Sequence, residues 1–272
     1  FPDLEWALLL SREEGLEQAG SPGEVAGESH RFTHLYFGNE FCQERIPSEK
    51  AMEHALAMAQ KLDLAFSLLT PYATSRGLLR IENLFDFLAK DHPGTEVIVN
   101  DWGALNLLRR KHPGLKPSLG RILTKLTRRF PDVLSSHQPL ENEAASSAMQ
   151  RPVTSFPPYR RFLEDLGVQR VEMDYPPQGL DLEGITLPIS LYLPYGYLTT
   201  GMSCLIGSLD LLKANKFSPS APCQGQCRLY FSELSSSTFF AAGQGLQLFQ
   251  GGNTVFYRYS PAMIQGVLNL AH

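Results

Sequence analysis

Four cysteines are the residues of this chain best suited to chemistry: Cys42, Cys204, Cys223 and Cys227. Four sulfurs can close one tetrahedral metal site or one iron–sulfur cubane, and an even number could equally form two disulfides. Cys223 and Cys227 are separated by Gln-Gly-Gln, a spacing that lets two thiolates turn toward one metal from a tight loop. Cys204 lies in a second loop bounded by Gly201 and Gly207, and Cys42 follows Gly38 in Phe-Gly-Asn-Glu-Phe-Cys-Gln-Glu-Arg. The plain alternative is four unrelated buried cysteines, since free Cys is among the most buried residue types. An all-cysteine zinc site is usually built from two Cys-x-x-Cys knuckles, so the scattered one, one and two arrangement suits an iron–sulfur cluster better.

Other polar residues form weaker constellations. Asn100, Asp101, Trp102 and Asn106 follow a predicted strand, where Asn100 or Asp101 could hydrogen-bond a substrate. The competing reading of Asp101 is a helix N-cap. Glu40, Glu44 and Arg45 flank Cys42, so Arg45 could hold a carboxylate or balance a charged centre, or be a solvated ion pair. Arg76, Arg80 and Arg121 stand near strand-to-helix connections and could bind a carboxylate bidentately, though surface solvation is the simpler expectation. Glu172 and Asp174 alternate on one strand and suit acid–base work or ordinary strand polarity. The seven histidines form no ligand motif. Gly-x-Ser-x-Gly, P-loop, His-Glu-x-x-His and Gly-x-Gly-x-x-Gly motifs are absent, which argues against a serine hydrolase, an NTPase, a zincin and a dinucleotide enzyme.

The elements that must position these residues alternate. Apolar runs at 4–10, 33–37, 64–69, 96–99, 117–123, 168–175 and 187–193 read as strands. Helical periodicity appears over 47–62, 81–89, 102–111 and 159–166, with Ala51, Ala55, Met58 and Ala59 at three- and four-residue spacing in the first. Strands separated by helices are the signature of βαβ units on a parallel sheet. Residues 11–29 read as a loop, the pattern is lost over 125–156, and residues 239–259 look like a hairpin turning at Gly251-Gly252-Asn253. The expected fold is α/β: a TIM-barrel-like (β/α) barrel, incomplete or distorted, with a C-terminal cysteine loop and β-hairpin. An open doubly wound sheet is the alternative. Residues 1–272 are expected to form a single domain, with 131–156 as an irregular insertion or lid and 201–272 as the metal-binding and hairpin segment.

Composition sets outer bounds. A net charge of −4 gives no broad positive field, so a dedicated nucleic-acid binder is disfavoured. No apolar stretch approaches the length of a membrane span. The N-terminal Phe-Pro-Asp-Leu-Glu-Trp reads as a trimmed fragment and not as a signal peptide, and a cytoplasmic, thiol-preserving compartment is the expectation.

The cysteine order, together with 36–45 (Tyr-Phe-Gly-Asn-Glu-Phe-Cys-Gln-Glu-Arg), 99–108 (Val-Asn-Asp-Trp-Gly-Ala-Leu-Asn-Leu-Leu) and 252–256 (Gly-Asn-Thr-Val-Phe), resembles the collagenase-like U-32 peptidase family. Within it the likeness is to the UbiU/UbiV-type iron–sulfur proteins, and it covers most of the chain outside 125–156. The resemblance implies a barrel-like fold and a [4Fe-4S] cluster ligated by Cys42, Cys204, Cys223 and Cys227, with zinc as the alternative metal. It further implies oxygen-independent hydroxylation of an aromatic, quinone-precursor-like substrate, or of a nucleobase as in other branches, and a heterodimer with a related subunit. Arg45, Asn100 and Asp101 would then form the substrate side. A non-catalytic four-cysteine partner subunit or scaffold is the second reading. Peptidase activity is the least supported, because no nucleophile–base pair accompanies the name.

Overall fold

The computed structural model describes residues 7–10, 23–25, 28–124, 126, 143–204, 206–216, 223–230, 232–234, 248–251 and 253–270. Its first half alternates β1 (Ala7–Leu10), a short antiparallel pair β2 (Gly23–Val25) and β3 (Glu28–His30), β4 (His34–Gly38), α1 (Glu49–Lys61), β5 (Ala65–Thr70), α2 (Ser75–Asp91), β6 (Glu96–Val99), α3 (Trp102–Lys111) and β7 (Lys116–Leu119). Helices α4 (Glu143–Gln150) and α5 (Pro157–Asp165) lead to β8 (Val171–Met173) and β9 (Ile189–Leu191). The described part of 11–29 therefore departs from the expected loop by holding a two-stranded pair. Of the expected lid, residues 131–142 lie outside the described residues, and the remainder carries α4 and a short 3-10 turn, Val153–Ser155.

The helices form where periodicity and caps agree. Ser48 Oγ accepts from the Ala51 amide at the start of α1, and Met52, Ala55 and Ala59 fall on its buried face. Ile81, Leu84, Phe85 and Leu88 do the same for α2. Both faces of the strands are covered, so they read as near-continuous apolar runs such as Val97-Ile98-Val99, all fully buried. One core cluster joins Leu35, Phe37, Leu68, Val97, Val99, Leu119 and Val171 on one sheet face to the buried faces of α1, α2 and α3.

The sheet order is β1-β4-β5-β6-β7-β8-β9, and every neighbouring pair is parallel. On a flat sheet β4 and β8, four spacings apart, would be separated by about 19 Å. Yet Tyr36 on β4 donates to Glu172 on β8 at 3.3 Å and lies 3.4 Å from Ser190 Oγ on β9. The sheet is therefore curled into a half-barrel alternating with helices, with its helices outside and Tyr36, Ser67, Glu96, Ser118, Glu172 and Ser190 brought together inside. This α/β arrangement is compatible with an incomplete TIM-like barrel.

The chain then leaves the half-barrel for a four-stranded sheet of order β10-β13-β12-β11: β10 (Tyr195–Thr200), β11 (Ser232–Leu234), β12 (Leu248–Gly251) and β13 (Thr254–Arg258), all antiparallel. Strands β12 and β13 form the hairpin, pairing through Gly251 and Thr254; residues 239–247 of that expectation lie outside the described ones. Helix α6 (Pro261–Leu270) packs Met263 and Val267 on Tyr257 and Tyr259. Tyr259 Oη accepts from the Tyr175 amide at 2.9 Å and Tyr257 Oη donates to the Tyr175 carbonyl at 3.1 Å, so the second sheet is tied directly to the end of β8. No helix among the described residues is long and apolar enough to cross a membrane.

Candidate functional site

Strand β4 ends at Gly38, whose φ of +132° and whose missing Cβ let the backbone pass the Leu69 carbonyl, only 2.3 Å from where a Cβ would lie. Asn39 then shapes the loop, its Oδ1 accepting from the Phe41 amide at 3.0 Å and the Cys42 amide at 2.8 Å. A 3-10 turn, Gln43–Arg45, follows. It is held from the β5–α2 side: Gln43 Oε1 accepts from Thr74 N and Oγ1, both at 2.9 Å, and Arg80 donates to the carbonyls of Gln43 and Ile46 at 2.8 and 2.7 Å. Cys42 is thus presented by a loop fixed at both ends.

The other three cysteines come from the segment after β10. Cys204 precedes a 3-10 turn, Ile206–Ser208, and the Gly207 amide donates to its Sγ at 3.1 Å. Cys223 receives the Gly225 amide at 3.4 Å, and Gly225, at φ +75°, turns the chain into the Gln226–Arg228 turn that carries Cys227. These two turns pack on each other. A Cβ on Gly207 would stand 3.2 Å from Cys204 Sγ and 3.7 Å from Cys223 Sγ, so glycine leaves the space the two sulfurs share.

All four cysteines line one cavity of about 290 Å³, together with Asn39, Phe41, Glu44, Arg45, Asn253 and Phe256. None of the four is in a disulfide. Burial pushes the Cys42 thiol up to about 11, against the Glu44 amide that donates to it; the neighbouring Cys223, Cys227 and Cys204 add to the rise. Burial also raises Cys204, opposed by the amides of Gly207 and Ile206. Backbone N–H groups aimed at sulfur are what a thiolate set needs to stay charged in a half-buried place. Among the described residues, no group of three or more His, Cys, Asp or Glu side chains is set to hold a single metal ion.

The remaining expected site residues divide. Arg45 lines the cysteine cavity, half-buried. Asn100 does not: it is fully buried, its Nδ2 donates to the Thr70 carbonyl at 3.1 Å, and its Oδ1 accepts from the Ile122 amide at 3.1 Å. It ties the ends of β5 and β6 to the turn after β7, where Gly120 leaves room for it. Asp101 is the N-cap of α3, accepting from the Ala104 amide through Oδ1 at 3.0 Å and from the Ala73 amide through Oδ2 at 3.3 Å. Both side chains hydrogen-bond backbone groups, and the N-cap reading of Asp101 is the one its geometry matches.

Arg121 corrects a second expectation. It is 3% exposed and not a surface residue. Its Nε and Nη2 form a fork onto Glu40, at 3.0 Å to Oε1, and its Nη1 donates to Asp174 Oδ1 at 2.6 Å. The guanidinium lies over the Tyr192 ring at 3.6 Å and within 5.4 Å of the Phe41 ring centre. Burial opposes its charge, but Asp174 and Glu40 outweigh that and raise its pKa; burial pushes Glu40 up against the pull of Arg121. Beneath this layer, Glu96 accepts from Ser67, Ser118 (2.5 Å) and Arg170. Arg170 Nε also stands 3.4 Å from Glu172. Glu172 and Asp174 are both buried and engaged, as neither expectation for them specified. Arg76 remains on the surface, paired with Glu44.

Sequence reasoning passed over Arg121, Glu40 and Asn253 as partners. Their separations, 81 residues from Glu40 to Arg121 and 212 from Phe41 to Asn253, leave no local pattern to detect. No known protein family, curated protein or solved structure matches the chain.

Proposed function

We propose that the chain is an iron–sulfur protein of the U-32 peptidase-like type, with Cys42, Cys204, Cys223 and Cys227 holding a [4Fe-4S] cluster. The observation that carries the reading is the convergence of four cysteines, none in a disulfide and drawn from two distant parts of the chain, on one cavity, with backbone amides directed at the sulfurs of Cys42, Cys204 and Cys223. The donor set is all sulfur and is scattered one, one and two along the chain without Cys-x-x-Cys knuckles, which suits a multi-iron cluster better than one zinc ion. Such a cluster, when bound, supplies one-electron transfer. The chain's own residues would do the rest: Phe41 and Phe256 give the cavity an aromatic lining, and the Arg45 guanidinium would suit an anionic aromatic substrate. On this reading the protein takes part in oxygen-independent hydroxylation of an aromatic, quinone-precursor-like or nucleobase substrate, in the cytoplasm and with a related subunit as partner.

Anaerobic reconstitution with ferrous iron and sulfide is the test. The expected product is brown and contains about four irons and four sulfides per chain, and each single Cys→Ser variant loses most of that content. A colourless chain that keeps four titratable thiols overturns the reading. Stoichiometric zinc in place of iron favours the alternative, a non-catalytic four-cysteine partner subunit or scaffold. That second reading has its own support: the inside of the half-barrel is filled by its own paired side chains, Glu96 with Arg170 and Glu40 with Arg121.

A further inference from the structure

Three of the four cysteines lie within one stretch after β10, whereas Cys42 belongs to the half-barrel and must be carried to them across a junction. Two side chains span that junction at the Cys42 loop. Arg121 holds Glu40, two residues before Cys42, to Asp174 at the end of β8, and its own carbonyl accepts from Tyr197 Oη on β10 at 3.2 Å. Asn253, beside β13, donates through Nδ2 to the Phe41 carbonyl at 2.5 Å and to the Gly201 carbonyl at 2.8 Å. One amide group thus joins the residue before Cys42 to the loop of Cys204. Between the two contacts the Phe41 ring packs on Tyr197 at 5.1 Å and edge-on to Phe256 at 5.6 Å.

From this arrangement we infer that Arg121 and Asn253 are positioning residues that set Cys42 against the other three cysteines. The inference rests on reading the four as one set. Only a forked, always-charged group can serve Glu40 with two nitrogens while a third reaches Asp174, so lysine cannot replace Arg121 here. Asn253 is equally specific, because its two N–H donors meet two carbonyls that belong to different halves of the chain.

The test separates position from metal loading. In the metal-free protein carrying Cys204→Ser and Cys223→Ser, the bifunctional thiol reagent dibromobimane should link Cys42 to Cys227. Arg121→Lys and Asn253→Ala should each slow that linkage at least tenfold, while single-site alkylation of Cys227 is unchanged. A further variant, Arg121→Met with Glu40→Gln and Asp174→Asn, removes the buried charges together and should fold, by circular dichroism, yet link slowly. Unchanged linkage in folded variants overturns the inference. In iron-loaded protein with all four cysteines, displacement of Cys42 should make the cluster lose one ferrous ion more readily when ferricyanide is added to take up the one electron released, giving the three-iron signal seen by electron paramagnetic resonance. If linkage depends on Arg121 and Asn253 but no iron loads into the unsubstituted chain, the positioning role stands and the cluster assignment falls.

Discussion

At the scale of single residues, burial decides which polar side chains are available for chemistry. Asn100 looked like a substrate contact because it follows a strand, but its amide closes two backbone hydrogen bonds in a dry place. Replacing it with alanine leaves the Thr70 carbonyl and the Ile122 amide unpaired, at a cost of about 2–4 kcal/mol. Urea unfolding of Asn100→Ala should show that loss; a stable variant that fails only in ligand binding would restore the substrate role. Glu172 makes a different prediction. Burial pushes its carboxyl up to about 8, against the pull of Arg170, with Glu96 and Glu40 adding to the rise. A hydrogen bond from the Tyr192 hydroxyl pulls in the same direction as Arg170, and burial outweighs both. The sign follows from proton counting. Below the ordinary carboxylate pKa, folded and unfolded chains both hold the proton and the group's contribution is intact. As pH rises toward 8 the unfolded chain releases the proton and the fold retains it, so stability falls, by on the order of 3–5 kcal/mol, and levels above 8. Glu172→Gln should flatten the decline in urea midpoint between about pH 5 and 8. A variant with the same slope as the unsubstituted chain would show that Glu172 is ionised in the fold.

At the scale of elements, the sequence was most informative where local physics is sufficient. Strand β6 and helix α3 occur at the positions expected, 96–99 and 102–111, because an apolar run, an Asp cap and a following Pro113 all agree. The strand expected over 117–123 stops at Leu119, since the chain turns at Gly120, whose carbonyl accepts from the Leu123 and Thr124 amides. The four cysteines were legible as a candidate set from number and loop context, because chemistry restricts what four thiols can do. Arg121 was not, because nothing in its neighbours signals burial; only the curl of the sheet brings β4, β7 and β8 close enough to enclose it. Gly38 shows how an element end controls the site. Any Cβ there meets the Leu69 carbonyl carbon and oxygen, and the positive φ strains an L side chain as well. Gly38→Ala should cost about 2–4 kcal/mol and release the β4–β5 edge. Amide hydrogen exchange should quicken at Phe37 to Cys42 in that variant and remain slow in α3; equal exchange in both would mean the backbone adapts elsewhere.

At the scale of the whole molecule, the cysteine cavity sits where a parallel half-barrel meets an antiparallel sheet. The two share Phe41 against Tyr197 and Phe256, Arg121 against Tyr195 and Tyr197, and Tyr175 against Tyr257 and Tyr259. A group bound by all four sulfurs would add covalent links across that joint, and binding to the folded state alone stabilises it by mass action. The gain should appear where the ligands are and not in the distant helices. Loading with iron and sulfide should therefore slow amide exchange together in residues 39–46, 201–216 and 223–230, by at least about tenfold, equivalent to about 1.4 kcal/mol. Residues of α1 and α2, whose protection comes from the apolar core around Ile81 and Phe85, should change little. Removing the metal with a chelator should reverse the effect in all three stretches at once. Protection confined to 201–216 and 223–230 would mean that Cys42 stands outside the bound group, and that the half-barrel and the second sheet are joined by side-chain packing alone.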